Sequence, residues 1–376
     1  MRIAGIEVFQ ADLPYAGGIY RLSGGRTYES FRATIVRLTT ECGLEGWGES
    51  TPFGSTFLAA HAGGVVAGLA ELAPQLIGFD PRHYDRLNER MDRALLGHNH
   101  AKSPIDGACW DIAGKAFGLP VCELLGGRGD APIPVISSIH GDTPDAMRAH
   151  VARCRDQGFM AHSIKIGADE AEGGPALDAE RIKACLADRL PGEWYQADAN
   201  SGLTVEHALR LLGLLGPADI VLEAPCATIR ETLALRQRTS IPIMADELVQ
   251  NPADLIDLLT LDAVDGVNIK ISKQGGLTKS RQIRDLASNA GLTISVQETV
   301  GSTIAFAGLL HLAESTSRRV LRSTLDNRVM VTNQLASINA PIIDGGVRAP
   351  AKPGLGLTVD RAALGQPIAV YSRPSL

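Results

Sequence analysis

Residues 161–168 read AHSIKIGA. Isoleucines alternate there with Ser163 and Lys165, the period of a half-buried strand. A lysine therefore stands on the face that should look into a core. Seven further short apolar runs share this form: PVISSI (134–139), WYQADAN (194–200), IVLEAP (220–225), PIMADE (242–247), GVNIKIS (266–272), TISVQET (293–299) and VLRSTLD (320–326). Helix-length amphipathic stretches separate them, such as TPDAMRAHVARCRDQG (143–158), TVEHALRLLGLLG (204–216) and LTKSRQIRDLASNAG (277–291). Several open on a threonine and end on a glycine, the residues that cap and stop helices. Eight strand signals alternating with seven helical ones predict an α/β fold in which a parallel sheet closes into a barrel. An open doubly wound sheet is the alternative, but no GxGxxG turn follows the first strand.

Before the barrel, RIAGIEVFQADL and FRATIVRLTT read as strands. The stretch between them, PYAGGIYRLSGGRTYES (14–30), is too long for a hairpin turn and has the composition of a lid. EGWGESTPFGSTF (45–57) reads as a short strand running into a second such loop. Helical patterns follow at about 56–77, 83–97 and 102–117. These signals divide the chain into an α+β domain over 1–125 with lid loops near 15–30 and 50–57, a barrel over 126–326, and a Pro/Gly-rich segment over 327–376 that returns to the first domain.

A net charge of −6 with no basic run argues against a nucleic-acid partner. The six cysteines form no CxxC pair, as in reduced cytosolic proteins. The start, MRIAGIEVFQ, has no leader pattern, and the most apolar window, 57–78, holds His61 and Glu71, so no membrane span is expected. The expectation is a cytoplasmic enzyme.

The ends of consecutive strands carry Lys165, Asp198, Glu223, Asp246 and Lys270. From Asp198 onward the spacings are 25, 23 and 24 residues, about one βα unit each, which puts one residue per strand at the C-terminal mouth. A single strand-end acid is commonly a helix cap, and a structural network of buried lysines and acids would also use these residue types. Five in the order base, acid, acid, acid, base are hard to explain as caps. Three converging carboxylates repel unless a cation lies among them, and an all-oxygen set selects Mg²⁺ first and Mn²⁺ second. With a lysine on either side, the set suits removal of a proton α to a carboxylate.

These motifs resemble the enolase superfamily, muconate lactonizing enzyme subgroup (the mandelate racemase/muconate lactonizing enzyme family), over nearly the whole chain. SPIDGACWDIAGKAFGLPVCELLGG (103–127) is similar to the segment joining that family's capping domain to its barrel, and KIG, DAN, LEAP, ADE and NIKISKQGG resemble its barrel motifs in order. The resemblance implies a modified TIM barrel, (β/α)7β-like, with an N-terminal α+β capping domain. It also implies Asp198, Glu223 and Asp246 as Mg²⁺ ligands, Lys165 and Lys270 as the acid/base pair, Tyr20 and Phe53 on closing loops, a small carboxylate substrate and a homo-oligomer. DLPYAGGIYRLSGGRTY, GESTPFGSTFLAAHA, LEAPCAT and SVQETVGS further resemble the branch acting on proline derivatives. Two activities are implied. One is elimination of the hydroxyl of cis-3-hydroxy-L-proline to give Δ1-pyrroline-2-carboxylate. The other is epimerisation at C2 of 4-hydroxyproline betaine or of a dipeptide.

One departure stands out. The subgroup's usual Lys-x-Lys is Ser163-Ile164-Lys165 here, so no like charge shares a face with the base. Lys273, three residues past Lys270, is expected on the other face. Further candidates for substrate contact are Ser163, His140, Glu298 and Asp326 at strand ends. Each has a structural reading as a cap, a surface charge or a packed histidine. Glu247 is expected to point away from Asp246, and Cys226 is expected to be a buried thiol.

Overall fold

The computed structural model describes residues 1–22, 26–141 and 143–372. Residues 23–25 of the first expected lid loop and 373–376 of the C-terminal segment lie outside the described residues.

Three antiparallel strands, β1 (Ile3–Pro14), β2 (Ser30–Thr40) and β3 (Glu45–Ser50), open the chain. Their sheet packs against α1 (Ala62–Leu76) and α3 (Asn99–Phe117), with α2 (Tyr84–Ala94) alongside. The expected first helix starts later than 56 because His61 takes the N-cap position and accepts from Gly64 N; the third starts earlier, at Asn99. Helix α3 is buried for most of its length because it lies between the cap sheet and the barrel. The approach to β3 is close. A Cβ on Gly46 or Gly48 would lie 2.1 Å from the carbonyl oxygens of Ala108 and Pro104. On the barrel side, Asp106 accepts from Thr278 N (3.0 Å) and Trp110 Nε1 donates to Thr278 Oγ1 (2.9 Å). These contacts seat the cap on one edge of the barrel mouth.

The barrel alternates β4 (Ile133–Ile139), α4 (Pro144–Asp156), β5 (Ala161–Lys165), α5 (Gly174–Leu186), β6 (Trp194–Asp198), α6 (Val205–Leu215), β7 (Val221–Glu223), α7 (Ile229–Arg236), β8 (Ile243–Ala245), α8 (Pro252–Thr260), β9 (Gly266–Lys270), α9 (Leu277–Ala290), β10 (Thr293–Gln297), α10 (Thr303–Glu314) and β11 (Leu321–Leu325). All eight apolar runs are strands. They pair in parallel with their sequence neighbours, and β11 pairs with β4 to close the ring. The capping residues behave as their chemistry dictates: Thr143, Thr204, Thr228 and Ser302 each accept an amide of the first helical turn. Each such cap contributes about 1 kcal/mol.

The segment after the barrel returns to both domains. Gly346–Val347 pairs with β4, and Ala369–Ser372 adds an outer strand beside β1. One apolar cluster fills the barrel and its helix layer, and a second lies under the cap sheet. A third joins Phe9, Phe31 and Trp47 of the cap to Phe53, Val300, Ile304 and Met330. It anchors the lid loops to the barrel. Among the described residues no helix is long and apolar enough to cross a membrane.

Candidate active site

The five candidate strand-end residues meet at the barrel mouth. Lys165, Asp198 and Glu223 are direct register partners across β5, β6 and β7. Glu223 pairs with Met244, two residues before Asp246, and Ala245 pairs with Val267, so Asp246 is level with Asn268, two residues before Lys270. The stagger of two residues at β8 and two more at β9 is the shear that tilted strands require when a sheet closes into a barrel. Equal spacing along the chain therefore becomes equal height along the barrel axis only through that tilt.

Each carboxylate has its own partners. Asp198 accepts from Lys165 Nζ, Asn200 N (2.9 Å) and Asn200 Nδ2 (3.0 Å). Glu223 lies between the side-chain amides of Gln196 and Asn268. Asp246 accepts from Lys270 and from Lys273, the latter at 2.7 Å. All three carboxylates are at most 2% exposed. Among the described residues no three His, Cys, Asp or Glu side chains are drawn together at metal-holding separation. Asp198 and Asp246 are each turned to a lysine.

The electrostatics show the crowding. Burial, then the charges of Asp198 and Asp246, hold the Glu223 carboxyl well above its usual range. Burial acts the same way on Asp246, but Lys270 and Lys273 outweigh it and bring that group down to about 2. Burial pulls both candidate lysines down, and their carboxylates outweigh it: Asp198 keeps Lys165, and Asp246 keeps Lys270, above the ordinary lysine range. Backbone strain is concentrated here too. Asn200 (φ 45°), Ser201 (φ 59°) and Ala224 (φ 40°) follow the strand ends in the left-handed region, which side chains other than glycine adopt at a cost of about 1–3 kcal/mol.

A cavity opens directly above. Its polar lining includes Ser138, Ser163, Lys165, Asp198, Lys270 and Glu298; its apolar lining includes Tyr20, Phe53, Phe57 and Met330. Ser163 accepts from Gln196 Nε2 at 3.1 Å, in the place where a lysine was the usual residue. Glu298 Oε1 accepts from Ser272 N (2.7 Å) and Oγ (2.9 Å), and burial pushes its carboxyl up to about 7. Tyr20 and Phe53 line the cavity, and they are also packed core: their centroids are 5.1 Å apart, and Phe53 is 4.6 Å from Phe31. Tyr20 and Phe53, placed on closing loops by the resemblance, are thus also core residues.

His140 and Asp326 are not among the cavity-lining residues. His140 Nε2 lies 3.3 Å from Tyr15 OH, with Tyr20 beside its ring. Asp326 is gripped by Arg328 through Nε (2.9 Å) and Nη2 (2.8 Å). Lys273 departs from expectation. The chain leaves the strand after Lys270 into a helical turn, Ile271–Gln274, so strand alternation no longer applies and Lys273 reaches the same carboxylate as Lys270. Glu247 lines an outer pocket of the mouth beside Asn200, where burial first and then Asp246 raise it to about 7. Cys226 is fully buried.

Residues missed from the sequence fall in two groups. Gln196 and Asn268 lie two positions before a candidate residue, so the same-face rule that singled out Ser163 could have found them. Ser138, whose buried Oγ has no partner among the described residues, and Phe57, whose ring centroid is 5.2 Å from Lys270 Nζ, carried no local signal.

The family pattern "Enolase C-terminal domain-like" matches residues 146–363, and "Mandelate racemase / muconate lactonizing enzyme, N-terminal domain" matches residues 22–126. The chain is 38% identical to the cis-3-hydroxy-L-proline dehydratase of Roseibium aggregatum, covering 99% of this chain and 100% of that one. It is 28% identical to the N-succinyl-L-Arg/Lys racemase of Bacillus cereus over 97% of both. A mandelate racemase/muconate lactonizing enzyme from Roseovarius nubinhibens ISM, solved in complex with magnesium, superposes with a TM-score of 0.97 at 60% identity, over 99% of this chain and 100% of that one.

Proposed function

Because the chain belongs to the mandelate racemase/muconate lactonizing enzyme family of the enolase superfamily, we propose that it is a cytoplasmic Mg²⁺-dependent hydro-lyase acting on cis-3-hydroxy-L-proline. The observation that carries this reading is the pair of lysines at either side of three buried carboxylates, directly beneath a small cavity closed by aromatic lids.

The donor set suits a hard divalent ion. Asp198, Glu223 and Asp246 offer only oxygen, and the mutual repulsion that lifts Glu223 is what a cation relieves. The 60%-identical neighbour solved with magnesium supports the same assignment. Mg²⁺ held there offsets the negative charge that builds on a substrate carboxylate as its α proton leaves. The chain's own residues do the rest. One lysine, in its neutral form, takes the C2 proton, and the lysine opposite holds or returns a proton on the other face. Gln196 and Asn268 keep Glu223 in place. Tyr20, Phe53 and Phe57 exclude water and press on an apolar ring. With C2 deprotonated, the 3-hydroxyl departs with a proton as water, and the enamine tautomerises to Δ1-pyrroline-2-carboxylate. Asp326 at the end of β11 is already paired with Arg328 rather than turned to the cavity, and this favours a compact cyclic substrate over a dipeptide with a distal ammonium. Six free cysteines suit a reducing compartment.

A second reading, 2-epimerisation, is favoured by the two-sided arrangement itself, since elimination needs only one base. Proton NMR of proline analogues with the enzyme and Mg²⁺ in D₂O separates the two. Loss of the C3 carbinol signal of cis-3-hydroxy-L-proline is expected. Exchange at C2 without that loss would leave epimerisation, and no exchange with any analogue would overturn both.

A further inference from the structure

Tyr20 stands in the first lid loop, where Tyr20–Arg21 pairs with Thr27–Tyr28 in a short hairpin. Its side chain is 5% exposed. The ring is wedged among three others, at centroid distances of 5.2 Å from Tyr15, 5.1 Å from Phe53 and 6.1 Å from His140. Packing accounts for the ring but not for the hydroxyl. A buried phenol ordinarily finds a hydrogen-bond partner, as Tyr15 does in His140 (3.3 Å) and Tyr28 in Thr56. Among the described residues the Tyr20 hydroxyl has no such partner. It is not one of the enclosed unpartnered oxygens either, so it opens on the cavity that Tyr20 lines together with Lys165 and Lys270.

The two flanks of that cavity differ. On one, the Phe57 ring covers Lys270, with Nζ 5.2 Å from the ring centroid. On the other, burial pulls the Lys165 ammonium down, and Asp198 and then Tyr20 more than reverse this, which puts the phenol within electrostatic reach of Lys165. One lysine thus has an apolar ring beside it, and the other has a phenol.

The next step rests on the reading of the chain as a hydro-lyase. In cis-3-hydroxy-L-proline the hydroxyl and the carboxylate share a ring face, so the C2 hydrogen and the hydroxyl lie on opposite faces. A base on one flank therefore leaves the hydroxyl facing the other. We infer that Tyr20 is a catalytic residue whose hydroxyl donates a hydrogen bond to the substrate's 3-oxygen on the Lys165 flank, while Lys270 removes the C2 proton beneath Phe57. The electron pair of the C2–H bond becomes the C2–C3 double bond as the C3–O bond breaks. Lys165, as an ammonium, gives its proton to the departing oxygen, which leaves as water, and Lys270 ends protonated. Exchange with solvent restores both lysines. Tyr20 keeps its proton throughout and offsets the charge that builds on the oxygen.

The test follows cis-3-hydroxy-L-proline with the full chain and Mg²⁺ in D₂O, reading hydroxyl loss and C2 deuterium exchange in the same sample. Tyr20→Phe keeps the ring and removes only an unbonded hydroxyl, so its thermal midpoint should be unchanged. Its ratio of hydroxyl loss to C2 exchange should fall by about a hundredfold, because the deprotonated substrate is returned more often than it expels the hydroxyl. Tyr15→Phe, which loses a neighbouring hydroxyl bonded to His140 and outside the cavity lining, should keep the wild-type ratio. A lid that merely shields the site would lower both rates of Tyr20→Phe together. An unchanged ratio in that variant, or an equal fall in Tyr15→Phe, would overturn the role of Tyr20 and leave the hydro-lyase reading standing. Wild-type enzyme that exchanges C2 while retaining the hydroxyl would overturn that reading and this inference with it.

Discussion

The two ends of the barrel hold buried charge in opposite ways. Toward the N-terminal end, Glu193 faces one strong base. Arg155 Nη2 donates to it at 2.9 Å, Tyr195 OH at 2.8 Å, and Arg155 also donates to Tyr195 OH at 2.8 Å. Burial raises Glu193, and Arg155 and its other donors more than reverse this, so it is held down to about 2. At the mouth, three acids crowd one another, and Glu223 has amides rather than a cation as its direct partners. The backbone beside them is strained at Asn200, Ser201 and Ala224. A matched, fully bonded pair stabilises its surroundings. Crowded acids, one of which has no cation as a direct partner, held in place by the rest of the fold mark a candidate functional site.

Chelation breaks the comparison most sharply. EDTA should abolish C2 proton exchange and Mg²⁺ should restore it, with the far-ultraviolet circular dichroism unchanged throughout. Full activity after exhaustive chelation would remove the functional reading of the mouth cluster.

Next come the lysines. Lys165→Ala and Lys270→Ala should each lower one stereochemical branch of C2 exchange by about a thousandfold, about 4 kcal/mol in barrier. One should lose exchange from the L substrate. The other should keep it while losing any epimerisation. Neither should lower the thermal midpoint as Glu193→Gln does. Wild-type exchange in both variants would make Lys165 and Lys270 structural.

At the other end, Glu193→Gln should cost about 3 kcal/mol of stability and leave kcat within about twofold, well inside what remote substitutions allow. The sign with pH is fixed by the lowered pKa. A depressed carboxylate stabilises fully above the unfolded value and loses this as pH falls through the folded one. The gap in urea midpoint between wild type and variant should therefore narrow as pH drops from about 5 toward 2. A constant gap would show that packing, not the charge pair, carries the effect.

The lid aromatics divide the same way. Phe53, surrounded by Tyr20, Tyr28, Phe31 and Phe57, should lose about 3 kcal/mol of stability on truncation to Ala. Phe57, which is less buried and covers Lys270, should instead lower kcat/KM by about tenfold with little change in stability. Urea unfolding and steady-state kinetics on both variants separate the roles. The smallest effect should come from Ala224→Gly. Relief of the left-handed strain offsets the added backbone freedom of glycine, leaving a net gain of a few tenths of a kcal/mol, readable as a small upward shift in thermal midpoint.

The barrel was legible because its information is local. Each unit repeats a strand period, several add a threonine cap or a glycine stop, and eight strands alternating with seven helices allow little but closure. The strand-end set from Lys165 to Lys270 was legible for the same reason, since one residue at the end of each unit inherits the repeat. The i, i+2 rule extends this to Ser163, Gln196 and Asn268 without any coordinates. What the sequence could not settle depends on where separate elements meet. Whether Asp326 points into the cavity depends on Arg328 turning back to hold it. Lys273 reaches Asp246 because the chain abandons the strand one residue after Lys270. Phe53 is core and Phe57 covers Lys270 because two loops from the cap close over the barrel mouth. Periodicity specifies a side chain's direction within its own strand or helix. Contacts between elements are set by shear, domain docking and loop closure, which arise only when distant parts of the chain compete for the same buried space.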